Sequence, residues 1–367
     1  MDAPLVDAVI PVHSEIRPIA RAVASIVDHT RAAVRVSVVA HNIDPAVILH
    51  NLGEYATHER VRLLSLQDGI RSPAGPMNHG LDRASARFVT VMGSDDELAP
   101  GAIDSWAALQ RETGASTVIA RIRIGGQRYD PYPPVRMGRR QRSLDPVKDR
   151  LAYRSAPLGL VDRERFPDLR FTEGLPSGED LAYSATLWFA GHAVAYDLTG
   201  PPYLVHEDAG DRVTFAPRSV AEDFAFLDAI EVMPWFARLG SRGKTALTVK
   251  ILRVHFFDAL LARIRSDAGL LAYRNDLRAV LDRLASWAPQ SIALLARADR
   301  RVLAELEAPR PDDARILHLL DARWNYRTVD AMLPNNPLLA LHAQAPLRTL
   351  WSGMRSAGAS STLDAPA

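Results

Sequence analysis

The sequence predicts an α/β protein with a mostly parallel β-sheet sandwiched by helices, followed by a C-terminal α-helical region. In the first half, short and nearly continuous apolar segments alternate with segments of helical periodicity, which is typical of a sheet covered on both faces. In the last third, Ala, Leu and Arg recur at helical spacing. We therefore expect an α/β domain at 1–214, a helical region at 215–356 and a disordered tail at 357–367.

The order of the elements follows from apolar runs and from helix start and stop signals. Ile19, Val23 and Ile26 share one helical face, and Pro45 and Gly53 bracket a short helix. Strands are predicted at 6–12, 34–40, 61–66, 88–92, 117–124, 194–196 and 203–205, and helices at 19–27, 45–52, 78–86, from 102, and at 179–190, 249–264 and 277–288. The polar, basic segment 127–150 is typical of a surface loop, either solvated or lying over a site. Ligands are expected at the carboxyl ends of the parallel strands.

Composition narrows the possible classes of protein. Hydrophobic residues make up 47%, charged residues 24%, and the net charge is +1, which indicates neither disorder nor nucleic-acid binding. The absence of cysteine excludes a disulfide framework, a Cys-ligated zinc ion and a thiol nucleophile. No run approaches about 18 apolar residues and no secretion signal is visible, so we expect a cytoplasmic protein. The arginine-rich helices leave two further expectations open, peripheral contact with the cell membrane and a homo-oligomer.

Asp95 and Asp96 follow an apolar strand and precede a helix. Adjacent carboxylates at such a turn suit a hard divalent cation, which prefers oxygen ligands and can neutralise a diphosphate. Asp also forms turns and caps helices, so this pair alone leaves both interpretations open.

Six blocks, taken in order, resemble the inverting family 2 glycosyltransferases of the GT-A fold. They are VIPVHSE, VVAHNID, SPAGPMNHGLDRA, GSDDEL, SGEDLAYSATLWFAG and YLVHEDAGDRVT. The resemblance implies transfer of a sugar from a nucleotide diphosphate sugar to a hydroxyl of a glycan, glycolipid or polymer acceptor, in cell-surface glycan synthesis.

The resemblance also implies the residues that bind the nucleotide sugar. They are Pro11, Val12, His13, Glu15, Asn42, Arg71, Asn78, Ser94, Asp95 and Arg212. Asn42 stands where the family usually has the Asp that reads the base, and Met77 replaces an Arg that often precedes Asn78. Arg71 lies near enough in sequence to supply that cation. Asn78 can alternatively cap the start of the helix predicted at 78–86.

Metal and catalytic residues are implied in the same way. Asp95 matches the direct ligand of Mn²⁺ or Mg²⁺, with Asp96 and His206 as further metal residues. Gly93 replaces the first carboxylate of the family's Asp-x-Asp motif. Asp180 matches the catalytic base, with Glu179 beside it, although an acidic residue at a helix start can also interact only with the helix dipole.

Other nucleotide-binding classes lack their signatures. No G-x-G-x-x-G opens a helix after the first strand, and no G-x-x-x-x-G-K-[ST] is present. A nucleotidyltransferase with a related sheet would normally carry a Gly-rich, basic signature directly after the first strand, which HSEIRP is not. The main alternative from another class is a non-catalytic scaffold of the same fold that binds a nucleotide sugar or a glycan, which Gly93, Met77 and the missing base-reading Asp motivate. Asp180 favours catalysis, because a binding scaffold needs no base.

Overall fold

The computed structural model describes residues 3–126, 128–156, 158–207, 218–266 and 268–361. It confirms the predicted fold class, an α/β domain followed by helices. No helix in these ranges is long and apolar enough to cross a membrane.

Eleven strands are present in the described ranges. They are β1 (Val6–Val12), β2 (Val34–His41), β3 (Val61–Leu66), β4 (Phe88–Val91), β5 (Glu97–Leu98), β6 (Thr117–Ala120), β7 (Ile122–Ile124), β8 (Arg128–Tyr129), β9 (Gly159–Asp162), β10 (Val194–Asp197) and β11 (Tyr203–Val205). The main sheet has the order β10-β6-β9-β4-β1-β2-β3, and a small sheet has the order β5-β11-β7-β8. In the main sheet β1 to β4 are mutually parallel, so their carboxyl ends share one edge.

Besides the two-residue strands β5 and β8, which were not predicted, two sheet features differ from the sequence prediction. The strand predicted at 117–124 is two strands, because the chain leaves the main sheet at Arg121 and enters the small sheet. The second difference is β9, which was not predicted and lies antiparallel between β4 and β6.

Fifteen α-helices surround and follow the sheets within the described ranges. They are α1 (Ile19–Val27), α2 (Pro45–Leu52), α3 (Ala74–Asp82), α4 (Ala102–Thr113), α5 (Leu181–Phe189), α6 (Val220–Phe224), α7 (Phe226–Glu231), α8 (Pro234–Arg238), α9 (Ser241–Ile251), α10 (Phe257–Ile264), α11 (Arg274–Trp287), α12 (Arg297–Glu307), α13 (Asp313–Ala322), α14 (Val329–Met332) and α15 (Pro346–Ser361). A π-helical turn, Leu252–Phe256, joins α9 to α10.

The apolar core is continuous across the predicted boundary at 214. One cluster packs α1, α2 and α4 on one face of the main sheet, and a second packs α3 and α5 on the other. A third joins Leu181 and Ala185 of α5 to Leu247 and Leu260 in the helical region. The helical region therefore packs directly on the α/β domain.

The C-terminal helix corrects the predicted tail. Because α15 ends at Ser361, it includes the first part of the segment 357–367 that the sequence predicts to be disordered. Residues 362–367 lie outside the described ranges.

Candidate active site

A cleft of about 810 Å³ opens at the carboxyl ends of β1, β2 and β3. Its volume falls within the range of roughly 300–1,000 Å³ that small-molecule sites occupy. Its lining includes five of the residues predicted to bind the nucleotide sugar, namely Pro11, Val12, His13, Asn42 and Arg71. The parallel strands bring them together from positions up to about sixty residues apart in the sequence.

Asn42 shapes the wall of this cleft. Its backbone is left-handed, with φ of 54°, and its side-chain oxygen accepts hydrogen bonds from the amides of Asp68 (3.1 Å) and Gly69 (2.9 Å). Its Nδ2 donates to Asp68 Oδ1 and to the carbonyl of Ile70, both at 3.1 Å. The buried His41 adds a contact of 2.8 Å between its Nε2 and Asp68 Oδ1. Asn42 thus holds the loop after β3, a role that its position in the motif did not indicate.

Asp95 lies between two arginines of the first βα unit. Its Oδ2 is 2.5 Å from Arg17 Nη1, and Arg21 donates to its backbone carbonyl. Arg17 lies two residues before α1, and Arg21 lies in its first turn. The side chains of Arg17 and Asp95 are only 8% and 14% exposed, so little water screens the pair. Neither arginine was predicted from the sequence, and because Arg17 lies outside α1, helical spacing does not connect the two.

Asp96 is held by the small sheet. Its Oδ2 accepts a hydrogen bond from the Tyr203 hydroxyl at 2.7 Å, and its Oδ1 accepts one from the His206 amide at 3.1 Å. The Tyr203 hydroxyl in turn accepts one from the Gly93 amide at 3.0 Å. Burial raises the pKa of Asp96 above its usual range, although the Tyr203 hydrogen bond opposes the shift. The side chain of His206 lies 2.6 Å from Glu97 Oε2.

A side chain at position 93 would displace the carboxylate of Asp96. A Cβ at this position would lie 2.7 Å from Asp96 Oδ2 and 3.1 Å from Asp95 Oδ1. The carboxylate of Asp96 therefore occupies the space into which a residue at position 93 would extend. The neighbouring Ser94 is buried, with 3% exposure.

The protein side chains near Asp95 suit a metal ion that takes most of its ligands from substrate and water. Among the described residues no group of three or more His, Asp or Glu side chains could enclose a metal ion. Mg²⁺ is commonly bound by only one or two carboxylates together with substrate phosphates and water. Asp95 fits that arrangement as a single carboxylate ligand, and the ion pair with Arg17 engages its Oδ2.

The predicted base and its neighbour directly precede α5. Asp180 is partly buried, and its Oδ2 accepts a hydrogen bond from the Ala156 amide at 2.8 Å. Burial raises the pKa of Asp180, and the same cause together with the charge of Asp180 raises the pKa of Glu179 to about 7. Two partly desolvated carboxylates side by side favour keeping one proton between them.

Lys250 of α9 is the nearby basic residue that sequence reasoning missed. It is 4% exposed, its Nζ lies 2.6 Å from His255 Nε2, and burial lowers its pKa to about 8. Its charge opposes the rise in the pKa of Asp180. Lys250 is one of three lysines in the chain, and it stands in an apolar helical run, VKILRVHFF. A lysine in such a run is the sequence signal that could have identified it.

The remaining predicted residues lie outside the cleft lining or outside the described ranges. Asn78 is 4% exposed; its Nδ2 donates to the Phe171 carbonyl (3.0 Å) and to Glu173 Oε1 (2.9 Å), and its Oδ1 accepts from the Phe171 amide (2.9 Å). The alternative role of Asn78 as a helix cap is wrong, because α3 begins at Ala74. Glu15 is exposed, and Arg212 lies outside the described residues.

Residues 7–166 match the family model for glycosyl transferase family 2. This match confirms the resemblance to family 2 glycosyltransferases over the part of the chain that holds the first four sequence blocks. No curated protein sequence matches the chain.

The fold is similar to crystal structures of S. aureus TarS. TarS 1–349 in complex with UDP-GlcNAc superposes with a TM-score of 0.71 at 16% identity, covering 86% of this chain and 90% of that one. TarS 1–349 in complex with UDP gives a TM-score of 0.66 at 16% identity, with the same coverage. Because 86% of the chain is more than residues 1–214, the likeness extends into the helical region, which lay outside the sequence resemblance. These structures confirm the GT-A-type fold.

Proposed function

We propose that the protein is an inverting glycosyltransferase that moves a sugar from a nucleotide diphosphate sugar to an acceptor hydroxyl. The observation that carries this proposal is the cleft at the carboxyl ends of β1 to β3, which gathers Pro11, Val12, His13, Asn42 and Arg71. The GT-A-type fold supports the donor class. Uridine diphosphate sugars are the first donors to test, because TarS has been crystallised with UDP and with UDP-GlcNAc.

The donor diphosphate is proposed to lie between this cleft and Asp95. Arg17 and Arg21 bring two positive charges to the turn after β4, and Arg71 brings a third to the rim of the cleft. Arginine forks match phosphate oxygens in geometry and charge. Mn²⁺ or Mg²⁺ held by Asp95 would neutralise the charge that develops on the diphosphate as it leaves.

Asp180 is proposed to remove the proton of the acceptor hydroxyl as that oxygen attacks the anomeric carbon. The Ala156 amide and the Ser155 side chain hydrogen-bond to its carboxylate and hold it in place. Attack on the face opposite the diphosphate inverts the configuration in a single displacement. The raised pKa of Asp180 makes it a stronger base than an exposed aspartate. The acceptor is proposed to be a glycan, glycolipid or polymer of the cell surface.

The test uses Asp180→Asn, with Asp168→Asn as the matched control because Asp168 is an exposed aspartate before α5. Release of UDP from UDP sugars to water measures catalysis without a known acceptor, and calorimetric titration with UDP and Mn²⁺ measures binding. General-base catalysis contributes on the order of 10²–10⁴-fold. We expect a loss of that size in Asp180→Asn, with unchanged UDP affinity and a control like the wild type.

Two outcomes would contradict the proposal. Near-normal turnover in Asp180→Asn would show that the base lies elsewhere. Binding of donors without release of sugar in the wild type, with or without Mn²⁺, would favour the non-catalytic scaffold.

A further inference from the structure

The C-terminal helix α15 packs with its small residues inward. Thr349 and Ser356 are 5% and 1% exposed, and a Cβ at Gly353 would lie 3.3 Å from Pro131. Two large apolar residues of the helix point the other way, since Trp351 is 63% exposed and Met354 is 67% exposed. A helix that only completes a core buries its large apolar residues. The exposed face of α15 therefore requires another explanation.

This orientation is fixed by buried hydrogen bonds. Arg150, 1% exposed, donates to the carbonyls of Ala343 (2.6 Å) and Pro134 (2.9 Å) and to the hydroxyl of Ser352 (3.2 Å). Gln344 adds a bond of 2.7 Å to the carbonyl of Val147. These contacts attach the chain before α15, and α15 itself, to the basic segment 127–150 of the α/β domain. These bonds hold α15 against the α/β domain with its outward face exposed.

We define the C-terminal patch by its six exposed residues, Leu338, Leu341, Arg348, Trp351, Met354 and Arg355. Leu338 and Leu341, which precede α15, are 85% and 75% exposed. A groove of about 420 Å³ runs beside α15 and includes Leu341, Arg348, Trp351 and Arg355 in its lining. The patch thus combines four large apolar side chains with two arginines.

Both charged residues of the C-terminal patch are positive. No acidic residue occurs between positions 331 and 361, and Arg348 and Arg355 make no ion pair with any residue in the described ranges. A two-fold contact between copies of the chain would place these arginines against the same patch, where like charges repel. A soluble polyanion would satisfy the arginines but leave Trp351 and Met354 in water. An anionic bilayer satisfies both kinds of side chain.

We propose that the C-terminal patch docks the protein on the surface of a bilayer containing anionic phospholipid. In this arrangement Trp351 and Met354 enter the boundary between headgroups and acyl chains, where tryptophan is enriched. Arg348 and Arg355 bind lipid phosphates at the same depth. The interaction leaves the helix on the surface, and it is independent of the reaction that the α/β domain performs.

Co-sedimentation of the full chain with vesicles tests the proposal. Vesicles of phosphatidylglycerol mixed with phosphatidylcholine are compared with vesicles of phosphatidylcholine alone. We expect binding to the anionic vesicles, weakened about 25-fold by Arg348→Gln with Arg355→Gln, since each arginine contributes about 5-fold at an anionic surface. Trp351→Ser with Met354→Ser should weaken it by about 10-fold or more.

The matched control is Leu271→Ser with Arg278→Gln, which removes an exposed apolar residue and an exposed arginine near α11. It should bind vesicles as the wild type does. Circular dichroism and UDP titration check that each variant is folded. Equal binding of the patch and control variants would overturn the proposal. So would a lipid-free dimer that Trp351→Ser dissociates, or binding to soluble polyphosphate that Trp351→Ser leaves unchanged.

Discussion

Gly93→Ala tests whether the acidic turn is built around the carboxylate of Asp96. The new Cβ would lie 2.7 Å from Asp96 Oδ2, and ordinary van der Waals contact begins at 3.4 Å. The carboxylate must therefore move by about 0.7 Å, away from the position at which it accepts the Tyr203 hydrogen bond of 2.7 Å. A hydrogen bond to a charged group contributes about 1.5–3 kcal/mol.

The expected loss is smaller than the full value of that bond. Replacing Gly by Ala at an unstrained position stabilises a protein by about 0.4–1 kcal/mol, because the unfolded chain loses conformational freedom. We therefore expect Gly93→Ala to lower the free energy of unfolding by about 1–2 kcal/mol. Gly240→Ala is the control, because a Cβ there meets no atom within 4 Å, and its stability should stay within about 0.5 kcal/mol of the wild type.

Urea denaturation provides the measurement, with Tyr203→Phe and the double variant completing a mutant cycle. The Gly93→Ala and Tyr203→Phe effects should be less than additive, since both weaken one hydrogen bond. Gly93→Asp, which restores the acidic residue usual in the family, should lower the affinity for UDP in the presence of Mn²⁺. Two results would refute this description of the turn. One is a Gly93→Ala variant as stable as the wild type whose effect adds fully to that of Tyr203→Phe, and the other is tighter UDP binding by Gly93→Asp.

Three further predictions concern charge and burial. The folded state raises the pKa of Glu179 from 4.5 to about 7, so the free energy of unfolding should fall as pH rises through that range and then level off. Urea titrations at a series of pH values measure this dependence, and Glu179→Gln should flatten the plot of unfolding free energy against pH. Lys250→Met removes the charge that lowers the pKa of Asp180, so the acidic limb of the pH profile for UDP-sugar turnover should move to higher pH; an unmoved limb would separate Lys250 from the base. Asn78→Ala leaves buried groups of Phe171 without partners and should cost about 3 kcal/mol in thermal or urea unfolding, whereas a loss of UDP affinity in a folded variant would contradict its packing role.

The parallel part of the sheet was predictable because it is encoded locally. Each of β1 to β4 is an apolar run next to a segment of helical periodicity, and these signals do not depend on distant residues. The antiparallel β9 depends on a distant contact instead. Gly159, with φ of +126°, passes so close to β6 that a Cβ would lie 2.3 Å from the carbonyl of Val118. Four residues carry no pattern that reveals such a contact.

The sequence predicted several of the residues that lie at the candidate site, but it predicted few of the contacts that their side chains make. Motif positions placed Pro11, Val12 and Asn42 at one sheet edge, where the cleft lies. They did not reveal that the side chain of Asn42 bonds to the following loop, or that Asn78 bonds to Phe171. Those bonds join segments brought together only by folding.

The most direct test of the central claim is a crystal structure of the protein with UDP-GlcNAc and Mn²⁺. The proposed function predicts electron density for the nucleotide in the cleft between Pro11 and Arg71, with the diphosphate beside Asp95 and the sugar directed toward Asp180. Nucleotide density at any other place, or an unoccupied cleft at saturating nucleotide concentration, would contradict it.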